Sequence, residues 1–286
     1  MTFVSHGEVD IRKQIIDPTL KGFAKRLYKL KPLLNIVTTG AWRNDYWRAS
    51  PDTLTAGTTR DIKGIPRGAA FPQASTSFEK IRTDIEKYGL EDSIPWEDII
   101  SGEVAVRDQT LIRIAEGIVY SIDRQIWTSI TADTDIQTFT IDSQKEWDNV
   151  SAAILDDLEY AEQLIGTQHY PTDNLAVVIN HYQKRKFMKF LFDNGAQIPS
   201  VADQAVRNGV IGTLGNKTFI VSDVVTASQA LVMIPKRNNW KELYALSTDV
   251  QNEPYKDVRV RAVELGVVQI TDPKTIVWIK NTQNSA

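Results

Sequence analysis

The side chains that could do chemistry in this sequence are scattered, and each candidate constellation lacks a member its chemistry requires. The three histidines, His6, His169 and His181, form no His-x-x-x-His or comparable metal pair, so they read as surface or hydrogen-bonding residues. Gly212-Thr213-Leu214-Gly215-Asn216-Lys217-Thr218 has the outline of a phosphate loop. Asn216 breaks the glycine–lysine adjacency, however, and a strand pattern follows where that motif needs a helix. Asp133-Thr134-Asp135 lacks the third ligand, the glycine and the closing glutamate of a calcium loop. No Gly-x-Ser-x-Gly elbow presents a hydrolase serine. With no cysteine there is no thiolate catalysis, cysteine-bound zinc or disulfide. Asp148, Asp156, Asp157, Glu159 and Glu162 could suggest acid–base chemistry or a metal. They oppose an apolar stripe and have no histidine nearby in sequence, so a solvated helix face is the better reading. Lys184, Arg185, Lys186 and Lys189 could touch phosphate, though a solvated face is again the plainer interpretation. No catalytic, cofactor or metal site is expected, and an unrecognised hydrolase is the remotest alternative.

Composition sets the frame in which such a chain must act. It has 286 residues, 42% apolar and 24% charged, enough for a sizeable core in one large domain or two smaller ones. Its apolar runs are only a handful of residues long, so no segment is expected to span a bilayer. The stretch from Met1 to Gly7 is neither basic nor apolar, and no secretory signal is expected there. The net charge of −3 hides an asymmetry. Residues 1–48 hold nine Lys/Arg against four acids, about +5, which leaves about −8 on the rest. A basic arm on an acidic body suits a nucleic-acid contact or self-association. Self-association is favoured, because acidic copies of the same body are present at far higher local concentration.

The elements that would position these groups are unequally legible. Residues 20–30 suggest an amphipathic helix with Leu20, Phe23, Ala24, Leu27 and Leu30 on one face, but no partner surface is evident nearby in sequence. Residues 50–78, punctuated by Pro51, Gly57, Gly64, Pro66, Gly68 and Pro72, form a long charged loop or a two-stranded ribbon. Such a ribbon is marginal in water unless it lies on something. From 103 to about 130 a stripe of Leu111, Ile114, Ala115, Ile118, Ile122 and Ile126 predicts a rod of roughly 40 Å. Gly117 within it reads as a tolerated glycine or as the mark of another backbone's close approach. Ser143 and Glu146 have capping-box spacing, predicting a helix that carries Trp147, Val150, Ile154, Leu158, Ala161 and Ile165 and ends at Gly166. A buried strand at 176–180, a helix over 182–192 and a hairpin turning at Gly215-Asn216 follow. Strands at 258–263, 266–270 and 275–279 close the chain. Helices and strands mix without regular alternation, which predicts an α+β fold.

The order of these pieces resembles the major capsid proteins of tailed bacteriophages, the Hong Kong 97 fold. The resemblance rests on the basic arm, the Gly/Pro-rich loop, Phe78-Glu79-Lys80-Ile81, and the run from Lys87-Tyr88-Gly89-Leu90 through Pro95-Trp96-Glu97-Asp98. It continues with Ser121-Ile122-Asp123-Arg124 near the end of the long helix, Leu175-Ala176-Val177-Val178-Ile179-Asn180, the segment 209–222, and the closing strands around Val258-Arg259-Val260-Arg261 and Asp272-Pro273. It implies an N-terminal arm (1–48) reaching over a neighbour and an extended loop (49–78) lying on the adjacent subunit. It also implies a peripheral domain (79–140 and 250–286) with a spine helix at 103–131, and an axial domain (141–249) around five- or six-fold axes. Candidate inter-subunit contacts are then Arg12, Lys13, Phe23 and Leu27 in the arm and Arg60, Asp61, Lys63 and Arg67 in the loop. The implied partners are other copies of the chain in pentamers and hexamers, scaffolding, portal and decoration proteins, and non-specifically held double-stranded DNA, with no membrane and no cofactor. The implied setting is a virion assembled in the host cytoplasm. The family's large N-terminal scaffolding segment has no counterpart here, so either scaffolding comes from a separate protein or this is the mature form. Some members cross-link a loop lysine to a neighbour's asparagine; Lys63 is the nearest candidate, but no motif for its partner is visible. Two rivals stand beside this reading: an encapsulin-type shell around a cargo enzyme, and a soluble DNA-binding protein that uses the basic arm.

Overall fold

The computed structural model describes residues 13–49, 67–68, 78–101, 104–149, 151–193 and 213–283. The helices are α1 (Lys13–Leu27), α2 (Trp96–Ser101), α3 (Val104–Ala132), α4 (Ile154–Thr167) and α5 (His181–Asp193). The strands are β1 (Asn35–Thr38), β2 (Arg43–Ala49), β3 (Phe78–Asp84), β4 (Glu86–Pro95), β5 (Gln137–Thr140), β6 (Leu175–Ile179), β7 (Thr213–Leu214), β8 (Lys217–Val221), β9 (Gln229–Met233), β10 (Asn239–Glu253), β11 (Asp257–Gln269) and β12 (Ile276–Lys280). They form a four-stranded sheet in the order β1-β10-β11-β4, a six-stranded sheet in the order β5-β12-β9-β6-β8-β7, and a separate ribbon of β2 and β3.

The core follows from strand alternation and one long helical stripe. On β6, Ala176 and Val178 face the same cluster as the α3 stripe, while Leu175, Val177 and Ile179 face α4 and α5. Both faces of the six-stranded sheet are therefore covered, which is why its strands read as continuous apolar runs. All six residues that predicted α3 are buried, and the helix extends about 43 Å at 1.5 Å per residue. Gly117 faces the end of the Leu90 side chain, 2.8 Å from where a Cβ would stand, rather than another backbone.

The amphipathic stripe of the first segment finds its partner within the chain. Leu20, Ala24 and Leu30 are almost fully buried in the cluster built on α3, and Phe23, Leu27 and Tyr28 pack against it. The described part of the arm is thus not a free extension, because its apolar face is already covered by a helix some ninety residues downstream.

Several boundaries depart from expectation. The strand at 239–253, placed by sequence within the axial segment as far as 249, pairs with β11 along its length and belongs to the four-stranded sheet. The strand at 276–280, expected in the peripheral sheet, instead lies between β5 and β9 in the six-stranded one. Ile276, Val277 and Ile279 are all buried, and only the interior of a sheet covered on both faces accommodates consecutive apolar residues in this way. The two strands expected at 258–263 and 266–270 are one, β11, with Gly266 under the Trp240 ring.

The capping box at Ser143 and Glu146 does not form, and α4 begins only at Ile154. The Trp147 backbone N–H is bonded instead to the Thr282 carbonyl at 3.0 Å, and its indole N–H to Asp157 at 2.9 Å. These long-range bonds hold residues 143–149 as turns. The helix also passes Gly166; the left-handed residue after its end is His169, with φ of 65°.

Candidate functional site: inter-subunit surfaces

Two arrangements bear on how this subunit could meet others: the β2–β3 ribbon and the polar knot at the root of the first segment. The ribbon has two unlike faces, set by the period of two along each strand. Tyr46, Arg48, Ile81 and Thr83 turn toward the body. Burial raises the Tyr46 phenol above its ordinary value. Arg48 is the anchor, donating to Asp133 at 2.5 Å and to Asp135 at 2.6 Å at the end of α3. The Asp-Thr-Asp sequence that only partly resembled a calcium loop therefore holds a guanidinium. Among the described residues no group of His, Asp or Glu is placed to bind a metal.

The opposite face points away from the body. Arg43 pairs with Asp84 at 3.3 Å and Lys80 with Asp45 at 2.7 Å; beyond them Trp47, 63% exposed, stands diagonal to Phe78, 57% exposed. Lys80 lies 5.9 Å from the Trp47 ring, so a cation caps one side of it. Large aromatic rings on the outer face of an isolated two-stranded ribbon stay in contact with water unless a second surface covers them.

The root of the first segment is fastened more elaborately. Asp123 lies off the apolar stripe of α3, yet it is 2% exposed. Its carboxylate accepts the backbone N–H groups of Lys29, Leu30 and Lys31 at 2.8, 3.2 and 3.2 Å. Burial pushes its pKa up and those three bonds work against that rise. Beside it the Lys31 ammonium bridges Glu264 at 2.5 Å and Glu242 at 3.1 Å, and the Tyr28 hydroxyl donates to Glu264 at 2.6 Å. Burial and the adjacent Glu264 carboxylate keep that phenol protonated well beyond its usual range. Glu264 itself is wholly buried.

The residues singled out by sequence fall as follows. Arg12, Arg60, Asp61 and Lys63 lie outside the described residues, and Lys13 opens α1. Phe23 and Leu27 are half-buried against the chain's own core. Arg67 is exposed in a turn with Gly68, which has φ of 80°. No described feature brings these residues together. The sequence reading missed Trp47 and Phe78 on the ribbon and Arg48 at its base. The available signal was the alternation of Asn44, Tyr46 and Arg48 with Asp45 and Trp47, which presents aromatic residues on both faces.

A family model described as phage capsid protein matches residues 78–279. The chain belongs to that family. It is a phage capsid protein, a structural protein rather than an enzyme, and its place is the virion capsid. Among solved structures, a virus-like particle from Pyrococcus furiosus superposes with a TM-score of 0.66 at 12% identity, covering 93% of this chain and 98% of that one. The capsid of cyanophage P-SCSP1u gives 0.65 at 12% identity, with 88% of each chain covered. The mature capsid of bacteriophage PhiM1 gives 0.61 at 16%, covering 90% of this chain and 88% of its own. At such identities the likeness establishes the fold, the α+β capsid fold anticipated from the sequence. No curated protein sequence matches the chain.

Proposed function

We propose that this capsid protein assembles with its own copies, as pentamers and hexamers, into a closed icosahedral shell around packaged double-stranded DNA. The observation that carries the reading is the ribbon: its inner face is anchored by Arg48, while Trp47 and Phe78 project outward with no cover from the described chain. In a closed shell every such face meets a neighbour, and the repeated contact stabilises each subunit through the next. The four-stranded sheet with α3 is the peripheral domain, the six-stranded sheet with α4 and α5 the axial domain, and residues 49–78 the loop that lies on an adjacent subunit. Residues 1–48 act as an arm whose root is fastened at Asp123 and Glu264, leaving only its outer surface and its first residues to a neighbour. Phe23 and Leu27 contribute there what α3 leaves uncovered.

Scaffolding, portal and decoration proteins complete the partner set, DNA is held by non-specific phosphate contacts, and assembly takes place in the host cytoplasm. One structural neighbour is a satellite phage P4 procapsid that includes a size determination protein, which supports an external assembly factor here. A shell enclosing a cargo enzyme is the second reading, favoured by the virus-like particle that superposes as well as the phage capsids do. Purified particles part the two: DNA with portal and tail proteins, or a co-packaged enzyme. Deleting residues 55–72 should leave a folded, soluble subunit that closes no shell. Normal shells from that variant would refute the role of the loop.

A further inference from the structure

The axial unit carries two charged flanks of opposite sign, and both lie on the layer formed by α4 and α5. On α5, Tyr182, Arg185, Lys186 and Lys189 follow the i, i+3, i+4, i+7 spacing and share one flank, while Gln183, Phe187 and Leu191 are buried. The Tyr182 ring sits 5.8 Å from the Arg185 guanidinium and 5.2 Å from the Lys186 ammonium, which holds these cations in one stripe. Among the described residues none of the three cations has a carboxylate in salt-bridge contact. On the other side of residues 141–153 lies a hollow of about 630 Å³ whose charged lining is Asp142, Asp156, Asp157 and Glu159 against Lys145 alone. Lys145 pairs with Asp142 at 3.1 Å and Lys217 with Glu159 at 2.7 Å, so Asp156 and Asp157 are the excess carboxylates of the hollow. Trp147 separates the two flanks: its ring lines the basic side, and its N–H is bonded to Asp157 on the acidic side.

Resting on the capsid reading above, we infer that the α5 stripe of one copy docks against the acidic hollow of the next copy around a capsomer. A contact between two different patches of the same chain is heterologous, and it closes into a ring when the rotation allows. Opposite charges on the two patches select that pairing and disfavour basic-on-basic or acid-on-acid encounters. Asp148 and Asp193 line the same side as Lys186 and Lys189, so carboxylates border the cationic stripe, and nucleic acid is the competing occupant that the test separates. The hollow does not fit a metal ion, for the described carboxylates do not converge on one point.

The test is a charge swap in the full-length protein, read by sedimentation velocity and negative-stain microscopy, with circular dichroism reporting the fold. Lys186→Glu with Lys189→Glu, and separately Asp142→Lys with Asp156→Lys, should each lower shell yield at least tenfold while the spectrum stays unchanged. All four substitutions in one chain should restore shells, which also separates a broken contact from a misfolded subunit. Reversal variants that assemble as the unaltered protein does, or a four-fold swap that restores nothing, would overturn the inference and leave the capsid reading standing. Normal shells from the Lys186→Glu, Lys189→Glu variant with DNA retention alone reduced would overturn it in favour of a nucleic-acid surface. Failure of the unaltered protein to form shells or capsomers, with or without a scaffolding protein, would overturn both.

Discussion

Replacing Lys31 by methionine keeps the aliphatic stem and removes the charge from the most buried ion pair described here. The Lys31 ammonium lies between Glu264, whose side chain is 0% exposed, and Glu242, at 13%. Without it, among the described residues, Glu264 retains only the Tyr28 hydroxyl, and its negative charge has no compensating cation in contact. Glu242 can rehydrate; Glu264 cannot. Removing one partner of a buried pair costs about 3–5 kcal/mol, most of it the penalty of the charge left behind. In an unassembled subunit of this size each kcal/mol moves the melting temperature by roughly 2–4 °C, so the expected fall is roughly 6–20 °C. Adding Glu264→Gln removes the stranded charge while keeping an acceptor for Tyr28, and should recover more than half of the loss. Calorimetry or urea titration of the unassembled subunit provides the assay. A loss below about 1 kcal/mol for Lys31→Met would mean that water reaches Glu264, as at an exposed pair, and would refute the argument.

Other expectations follow from named contacts. At Gly266 a Cβ would meet the buried Trp240 ring at 2.4–2.6 Å, so Gly266→Ala should destabilise by about 1–3 kcal/mol in urea titration. Gly117→Ala meets only the end of Leu90, 40% exposed and able to move, and should be neutral or gain up to about 1 kcal/mol from helix propensity. A larger loss at Gly117 than at Gly266 would contradict both. Lys217 binds Glu159 and Glu162, and these bonds override its burial to raise its pKa above the ordinary 10.5. Burial alone would raise the Glu162 carboxyl, but hydrogen bonds led by Lys217 hold it below the ordinary 4.5. The pair therefore contributes stability above the ordinary carboxylate pKa, loses it as pH falls through the depressed value, and loses it again as pH rises past the raised lysine value. Lys217→Met should cost roughly 1–2 kcal/mol near neutrality, since Glu159 is 68% exposed and screened by solvent. That gap should close as the pH drops below about 4, and a gap independent of pH would contradict the assignment.

What the sequence made legible was whatever depends on neighbours within a few turns. The α3 stripe, the all-apolar β6 and the Gly215-Asn216 turn each carry their signal locally, and each appears where expected. The burial of Asp123 was not legible, because a carboxylate off an apolar stripe carries no local sign of the partners that bury it. Those partners, the N–H groups of Lys29 to Lys31, lie more than ninety residues away. The same limit hid the cover for Leu20 and Ala24, and it made an ordinary docked helix look like an unsupported extension. Ser143 and Glu146 gave a local helix-start signal that lost to a long-range bond from Trp147 to Thr282. Of the candidate contacts, those on the ribbon were within reach of an alternation argument, whereas Arg48 needed the end of α3 to be brought beside it.

Expressing the full chain and imaging it by negative stain, with sedimentation velocity on the same sample, tests the central claim most directly. The account predicts closed, regular particles, or capsomers that close once a scaffolding protein is supplied, in place of free subunits. A species that sediments as a single folded chain at every concentration, with or without such a protein, would contradict it.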